Sequence, residues 1–461
     1  MARTAKNEKA LTPEEKLAQA LVPDVEQPYR VPENWCWVSL SSLVNLYNGD
    51  RGVNYPSKKD YVETGIPFIN AGAIQDGRLD SSGYNYITQE KYDALRAGKV
   101  QIDDILYCLR GSLGKTAIVD FESQGAISSS LCILRASLGV SVKYLYYLLS
   151  SDIIVKQQGF AENGSAQPNL SAASVLQYKV PLAPLVEQQR IVDRIESLFA
   201  KLDEAKEKAQ AVVDGFEDRR AAILHKAFTG ELTRSWAEQE GISLDAWQTK
   251  RFDDVAEVKS NLVEPAEYPD FPHIAPDNIE KKTGKLLDYN TVAEDAVKSS
   301  KHRFFAGQIL YSKIRPNLSK VVVIDFDGLC SADVYPIEPR DGVSTKFLWY
   351  YMLSDDFVLQ ASTAGSRSVL PKINQKELSS LTIQITGLKE QEKVVAVLDE
   401  LFEKEQYAKE AAEQVIDQID AMKKSILARA FRGELGTNDP SEESAVELVK
   451  RIISEGDTEG D

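Results

Sequence analysis

The sequence predicts a mixed α/β (α+β) protein in which two duplicated domains are separated by two long helices that pair as an antiparallel coiled coil. The first observation behind this prediction is an internal repeat with a period of about 200 residues. The second is a heptad pattern of apolar residues in the later part of each copy. The third is a set of short β-rich runs and one helical pattern in the earlier part of each copy.

The later part of the repeat has a fixed length and the earlier part does not. Residues 181–232 match residues 384–435 without insertion or deletion, at a constant offset of 203. The earlier parts drift, because Trp35 and Trp247 are 212 residues apart. One part of each copy is therefore variable in length, as expected of a domain whose loops differ between the copies.

The fixed part is predicted to be helical. Apolar residues follow one another in steps of three and four from 191 to 223, within an expected helix over 184–228, and 394–426 repeats the register. Glu405 stands in this seam where the first copy has Leu202. Each helix could instead pack only on its own domain, but the matching registers favour pairing of the two helices.

These patterns set the expected domain boundaries, and Gly230 and Gly433 are expected just past the helix ends. The acidic tail is expected to be partly disordered, with 444–453 as a possible short helix. The segments are an N-terminal arm at 1–34, a first variable domain at 35–182, a central helix at 183–232, a linker at 233–246, a second variable domain at 247–384, a C-terminal helix at 385–435 and the acidic tail at 436–461.

Composition and motifs exclude several classes of protein. The four cysteines lack a C-x-x-C pair and there are three histidines, so neither a disulfide framework nor a zinc site is indicated. The charged start is unlike a signal peptide and no long apolar run is present, so we expect a cytoplasmic protein. The sequence GSLGKT (111–116) lacks the first glycine of a phosphate-binding loop, which argues against nucleotide hydrolysis. The chain is expected to bind rather than catalyse.

The whole pattern resembles the specificity subunit of type I restriction-modification systems. The resemblance rests on VPENWCW (31–37), on two variable domains, and on two helices that open near P-L-x-E-Q and close with A-F-x-G-E-L. It implies that the variable domains are target-recognition domains that read an asymmetric bipartite site in double-stranded DNA. It also implies two modification subunits and two restriction subunits as partners, which would carry AdoMet, ATP and Mg, with no cofactor on this chain. The alternative is a duplicated coiled-coil scaffold that does not read DNA bases.

The net charge of −16 is unusual for a DNA-binding chain, because phosphate contacts need Lys and Arg. The excess of acidic residues lies mainly outside the variable domains. Residues 35–180 hold 13 basic and 13 acidic side chains, and residues 247–382 hold 17 and 19. The variable domains are thus nearly neutral, and the isolated chain is expected to bind DNA weakly without its partners.

The best candidates for DNA contact are turns that carry a cation beside small polar groups. Arginine can bond a guanine edge with two donors, whereas lysine more often meets phosphate. The alternative is that these are solvated turn charges. The first set is Arg110, Ser112 and Lys115 with Arg315, Asn317 and Lys320, and the second set is Gln167 and Asn169 with Arg367 and Lys372.

Two further groups of residues are duplicated. The aromatic residues are expected in the core rather than stacked on bases: Trp35, Trp247, Tyr146, Tyr147, Trp349 and Tyr350. The pairs at the helix starts are expected to organise those starts or to form the interface with the modification subunits: Glu187, Gln188, Glu390 and Gln391.

Overall fold

The computed structural model describes residues 11–161, 169–243, 246–365 and 371–456. The chain forms two compact units. Unit 1 combines residues up to 207 with residues from 416 onward, and unit 2 is the continuous stretch 208–415. Within the described ranges, none of the helices combines the length and apolar character that a membrane crossing requires.

The N-terminal arm and the first repeat copy as far as Asp214 contain twelve strands and six α-helices among their described residues. They are α1 (Pro13–Ala20), β1 (Cys36–Ser39), β2 (Val44–Asn48), β3 (Tyr61–Val62), β4 (Ile66–Ile69), β5 (Ile74–Gln75), β6 (Arg78–Leu79), β7 (Asn85–Ile87), α2 (Gln89–Ala94), β8 (Ile105–Cys108), β9 (Thr116–Ile118), β10 (Ala126–Ile127), β11 (Leu131–Ala136), α3 (Val142–Leu149), α4 (Asp152–Ala161), α5 (Ala172–Leu176), β12 (Lys179–Leu182) and α6 (Leu185–Asp214).

The end of the first copy's helix, a helix in the linker, the second copy and the tail come next. Their elements are α7 (Phe216–Phe228), α8 (Arg234–Gln239), β13 (Gln248–Arg251), α9 (Phe252–Val255), β14 (Ala256–Val258), β15 (Leu262–Val263), β16 (Pro272–Ile274), β17 (Asn290–Thr291), β18 (Lys301–Phe304), β19 (Ile309–Ser312), β20 (Val321–Val323), β21 (Gly328–Cys330), β22 (Val334–Pro339), α10 (Thr345–Leu353), α11 (Asp355–Ala364), α12 (Gln375–Ser379), β23 (Thr382–Ile385), α13 (Leu388–Ala430) and α14 (Ala445–Gly456).

In the described residues, each unit has one four-stranded sheet that the repeat preserves and one sheet of four or five strands that it varies, besides two-stranded sheets, of which β1-β12 and β13-β23 are equivalent. The preserved sheets are antiparallel, with strand orders β2-β11-β8-β9 and β14-β22-β19-β20. The other sheets have orders β10-β4-β7-β3 and β15-β18-β21-β16-β17, and each includes one parallel pair. The central strands β8 and β19 are fully buried, because apolar side chains cover both of their faces. The predicted mixed α/β domains are confirmed, and their variable part includes this second sheet.

The expected continuous helix over 184–228 is wrong in one respect. It is divided into α6 and α7 at Gly215, whereas α13 runs unbroken from Leu388 to Ala430. Glycine has the poorest helix propensity after proline. The Arg219 side chain fills the interruption and donates from Nη2 to the Val212 carbonyl at 2.8 Å. Gly230 and Gly433 follow the helices with φ of 74° each, as predicted for glycines that end helices.

The pairing of the helices is antiparallel, as predicted. In unit 1, Lys206 Nζ lies 3.0 Å from Asp420 Oδ1, and Lys423 binds Asp203. Residue numbers therefore fall along α13 as they rise along α6.

The same direction holds within unit 2. Arg219 Nε donates to Glu405 Oε2 at 2.8 Å, and the Lys409 ammonium lies 4.8 Å from the centre of the Phe216 ring. Glu405, the residue that interrupts the heptad seam, is thus paired with a cation of the opposite helix.

The acidic tail contributes to the core of unit 1 up to Gly456. Ala445, Leu448 and Val449 on α14 are buried, and α14 packs against α1. Arg190 of α6 holds Glu442 through two bonds of 2.7 and 2.8 Å. The possible short helix is confirmed, and its apolar face packs in the hydrophobic core of unit 1.

Candidate nucleic-acid interface

Two equivalent turns carry the first set of predicted residues. Turn 1 (110–115) joins β8 to β9, and turn 2 (315–320) joins β19 to β20. Because β8 and β9 form an antiparallel hairpin, GSLGKT leads into a strand. A phosphate-binding loop would lead into a helix N-terminus.

The two turns reach similar shapes with different residues. In turn 1, Gly111 and Gly114 adopt left-handed φ angles of 81° and 73°. In turn 2, Arg315 and Ser319 adopt φ angles of 49° and 45°, on either side of a single 3₁₀ turn over Pro316–Leu318. Non-glycine residues in this region are strained by about 1–3 kcal/mol each unless their surroundings hold them there.

The second set of predicted residues lies beside the first. Asn169 forms a bridge with Arg110 and its Oδ1 accepts from Arg110 Nε at 3.3 Å. Lys372 forms the equivalent bridge with Ile314, and the Arg315 amide donates to the Pro371 carbonyl at 2.8 Å. The structure therefore brings together residues about 60 positions apart in the chain.

Most of the predicted side chains are available at the surface. Gln167 and Arg367 lie outside the described residues, and Lys320 is partly buried. The exposed residues are Arg110, Ser112, Lys115, Asn169, Arg315, Asn317 and Lys372.

Buried groups support the backbone of each turn. The Cys108 thiol donates to the Arg110 carbonyl with Sγ–O 3.0 Å, and burial raises the pKa of this thiol so that it keeps its proton. In the second copy the Ser312 hydroxyl donates to the Ile314 carbonyl at 3.2 Å. Each turn is thus fixed by a hydrogen bond from the strand that precedes it.

The charge around turn 2 is partly balanced by one acid. The Asp333 carboxylate lies 3.3 Å from the Lys372 ammonium and 3.6 Å from that of Lys313. Arg315 has no ion pair with a carboxylate of the described residues. It is therefore the turn 2 cation most available to a ligand.

Lys320 supports a neighbouring loop instead of standing free. Its side chain is 16% exposed, and its ammonium donates to the Pro276 carbonyl at 2.6 Å and lies 3.5 Å from Asp277. Lys115 makes the equivalent bond to the Ile74 carbonyl at 3.3 Å, although it is exposed. The phosphate contact expected of Lys320 would require it to leave these partners.

The helix starts are organised around buried glutamates. Glu187 is fully buried and accepts from Trp35 Nε1 at 2.7 Å, Asn438 Nδ2 at 2.9 Å and Thr437 Oγ1 at 3.1 Å. A carboxylate without these donors would be very costly to bury. This matches the expectation that the residue organises the helix start.

Glu390 repeats the arrangement in unit 2. It accepts from Trp247 Nε1 at 3.0 Å, Thr233 Oγ1 at 3.1 Å and Thr386 Oγ1 at 2.6 Å. Trp35 and Trp247 were expected in the core, but their hydrogen bonds to the glutamates were not predicted. The duplicated Trp and Glu were the signal that would have revealed them.

The glutamines tie each helix to its own domain. Gln188 accepts from the Ser141 amide at 3.0 Å, and Gln391 accepts from the Ser344 amide at 2.9 Å. All four side chains of the Glu-Gln pairs are at most 2% exposed. Of the two roles expected for these four residues, their burial favours organisation of the helix starts, and a role in the interface with the modification subunits stays a prediction.

The duplicated tyrosines of α3 and α10 pack against aromatic side chains of the long helices α6 and α13. Tyr147 contacts Phe199 edge-on at 5.8 Å, and Tyr350 contacts Phe402 at 5.5 Å. Tyr146 donates from its hydroxyl to the Gly77 carbonyl at 3.1 Å. These contacts place the aromatic residues in packing roles rather than on an open stacking surface. Among the described residues, no cluster of His, Cys, Asp or Glu could hold a metal ion.

Comparison with known families decides what this arrangement is. The family model described as "Type I restriction modification DNA specificity domain" matches residues 32–213 and again residues 245–416. The chain belongs to this family of type I restriction-modification specificity proteins. Each matched range contains one of the two turns and the start of one long helix.

Relatives match across almost the whole chain. The type I restriction enzyme EcoDI specificity subunit of Escherichia coli is 36% identical over 462 residues, covering 92% of this chain and 96% of that protein. The EcoKI specificity subunit of Escherichia coli K12 is 21% identical over 92% of this chain and 96% of its own length.

Solved structures of the family share the fold. The HsdS subunit from Thermoanaerobacter tengcongensis superposes with a TM-score of 0.60 at 20% identity, covering 89% of this chain and all of that one. A chain from a structure described as "Structural basis underlying complex assembly and conformational transition of the type I R-M system" reaches a TM-score of 0.65 at 20% identity, with coverages of 88% and 100%.

Proposed function

We propose that this chain is the DNA sequence-specificity subunit of a type I restriction-modification complex, and that it reads an asymmetric bipartite site without catalysing a reaction itself. The observation that carries the proposal is the pair of exposed, cation-bearing turns at equivalent positions of two preserved sheets. The turns differ in side chains, so the two half-sites differ and the full site is not a palindrome.

Turn 1 and turn 2 supply the base contacts in this proposal. Arg110 and Arg315 each present an exposed guanidinium whose fork of donors matches the guanine edge in the major groove. Asn169 and Asn317 lie on the same exposed surfaces and offer both a donor and an acceptor to bases. A difference of one such residue between the copies is sufficient to specify a different base.

Partners supply the chemistry. Two modification subunits with AdoMet methylate adenines, and two restriction subunits with ATP and Mg translocate and cut DNA, as the family resemblance implies. We place the contact with the modification subunits on exposed apolar residues next to the buried glutamates. Leu185 and Leu388, which are equivalent in the repeat, are 42% and 46% exposed. Exposed leucines at both helix starts fit a partner present in two copies.

An exchange of domains tests the function. Residues 247–382 are replaced with the corresponding block of a related specificity subunit, and methylated adenines are mapped in cells that also produce the modification subunit. One half-site of the methylated sequence should change and the other should persist. A simultaneous change of both half-sites would contradict modular reading.

A gel-shift series separates this function from that of a scaffold. The wild-type chain is titrated with DNA, alone and with its modification subunit. Sequence-specific binding that appears or strengthens with the partner supports the proposal. Binding without sequence preference in both cases would favour the scaffold.

A further inference from the structure

A short hairpin next to turn 2 carries an unpaired cluster of lysines. Ile279 and Leu286 bridge its two arms, and its tip has the sequence EKKTGK. Lys281, Lys282 and Lys285 are exposed, and none of them forms an ion pair with any residue in the described part of the chain. The one acid of the tip, Glu280, accepts a hydrogen bond of 2.6 Å from Thr283. We call this segment, 279–286, the lysine hairpin.

Turn 2 fixes the lysine hairpin on one side. The Lys282 amide donates to the Ser319 carbonyl at 3.1 Å, and Lys282 itself is left-handed with φ of 65°. The Lys320 ammonium holds the preceding segment through the Pro276 carbonyl at 2.6 Å. Lys320, which the sequence predicts as a phosphate contact, thus helps to position the hairpin that carries the three lysines.

Two helices of unit 2 fix the hairpin on its other side. Arg220 of α7 donates from Nη2 to the Thr283 carbonyl at 3.3 Å. Gly284 has φ of 77°, and a Cβ at this position would lie 2.2 Å from Cζ2 of Trp349 on α10. The close approach of this indole requires glycine. The hairpin is therefore held against the turn and not free to swing away from it.

The first copy has the same support with a different charge. The β5–β6 hairpin receives the Lys115 ammonium at the Ile74 carbonyl and the Tyr146 hydroxyl at the Gly77 carbonyl. Tyr146 and Trp349 are equivalent in the repeat, 203 residues apart. The tip here carries Asp76 and Arg78, whose opposite charges cancel. Position and support are shared, whereas the three lysines belong to the second copy alone.

We propose that the lysine hairpin is a phosphate-binding element that grips the DNA backbone beside the bases read by turn 2. This rests on the proposed function. A lysine ammonium is a compact charge suited to phosphate, while the arginine fork suits base edges, so the hairpin and Arg315 divide the two tasks. Since the domain as a whole is nearly neutral, a local cluster is needed to displace counterions from DNA. The grip is concentrated on the half-site of the second domain.

Neutralising the hairpin tests this directly. The triple variant Lys281→Gln, Lys282→Gln, Lys285→Gln is compared with a control that removes three exposed lysines elsewhere in the same unit, Lys250→Gln, Lys298→Gln, Lys376→Gln. Two DNA probes are used, one that contains the sequence methylated by the complex and one that does not. Binding of the complete complex to each probe is measured between low and high salt. The slope of log affinity against log salt should flatten by about 2 to 3 in the hairpin variant, at roughly 0.9 per lost contact. The preference for the motif over unrelated DNA should stay within about twofold.

A transplanted charge provides the converse test. Asp76→Lys places a cation at the tip of the β5–β6 hairpin, where φ of 48° is close to the 65° that Lys282 already adopts. The salt slope should steepen by about 1. Thermal melting of each variant shows that it is folded.

Each outcome separates the two proposals. Absence of motif-specific binding by the wild-type complex would sink the proposed function. Specific wild-type binding with an unchanged salt slope in the triple variant would sink the hairpin proposal alone. A triple variant that changes its preferred half-site would show that the lysines read bases, which also overturns it. An equal flattening of the salt slope in the control variant would show that overall charge, and not the hairpin, causes the effect, which would also overturn the hairpin proposal.

Discussion

Backbone strain and side-chain exposure coincide at Arg315. The equivalent bridges Arg110–Asn169 and Ile314–Lys372 align Arg110 with Ile314, so the left-handed position of Arg315 corresponds to Gly111 in turn 1 and not to Arg110. Here the position carries a long cation, and its amide donates to the Pro371 carbonyl. The strained conformation is retained where glycine would be easier, which points to a role for the side chain. The sequence could place Arg315 in a turn, but not show its backbone conformation, because that depends on the pairing with the segment around Lys372.

Two substitutions at Arg315 separate reading from stability. Arg315→Ala keeps the strain and Arg315→Gly relieves it, so the glycine variant should be more stable than the alanine variant by about 1 kcal/mol. Both should lose discrimination at one or two positions of one half-site, costing about 1–3 kcal/mol. Melting temperatures and affinities for single-base variants of the site measure the two effects. Equal losses for all sequences would show that Arg315 holds only phosphate.

The buried glutamates give a residue-scale test of the two units. Glu187→Ala leaves the Trp35, Thr437 and Asn438 donors without an acceptor and should cost about 2–3 kcal/mol. Hydrogen exchange should accelerate in unit 1. Glu390→Ala should do the same in unit 2. The exposed Glu196→Ala is the control and should cost under about 0.5 kcal/mol. Acceleration in both units from either substitution would contradict this localisation.

At the scale of elements, the sequence predicts the paired helices well and their irregularity poorly. The heptad steps identify the seam because they depend only on residue spacing. The break at Gly215 was visible as a glycine, but its effect depends on Arg219, which fills the gap and pairs with Glu405. In the register of the repeat, Met422 and Leu202 take the places of Arg219 and Glu405 in unit 1. The equivalent positions thus hold apolar residues in unit 1 and an ion pair in unit 2.

A double-mutant cycle tests the ionic crossing. Arg219→Met and Glu405→Leu each leave one charge in a half-exposed seam, and each should destabilise the protein by about 1 kcal/mol, since solvent screens the pair. The double variant carries the residue types that unit 1 has at the equivalent positions, and it should regain the wild-type stability or exceed it. Urea denaturation of the four proteins measures the coupling. Additive losses in the double variant would show that the two side chains act independently.

At the scale of the whole molecule, the duplication carries most of what the sequence could predict. It identified two mixed α/β domains, two helices and equivalent turns, because a constant offset of 203 residues survives without knowledge of contacts. It could not predict that the tail closes the core of unit 1, since Leu448 and Val449 find their partners near the start of the chain. Nor could it predict the position of the lysine hairpin, because the three lysines are neighbours in the sequence but their place beside turn 2 depends on contacts with Ser319, Arg220 and Trp349.

The division of unit 1 between the two ends of the chain has a consequence for synthesis on the ribosome. Residues 208–415 emerge as one stretch, so unit 2 can complete its core while translation continues. Unit 1 lacks Phe431 and α14 until residues 431–456 have been made. Tyr144 and the buried face of α3 therefore stay uncovered while 249 residues are added between positions 207 and 456, roughly 12 to 50 s at about 5 to 20 residues per second. Nascent chains arrested after residue 415 should therefore show protease cleavage within residues 35–182 and protection within 247–382. Equal protection of both stretches would mean that the first copy folds without residues 416–456.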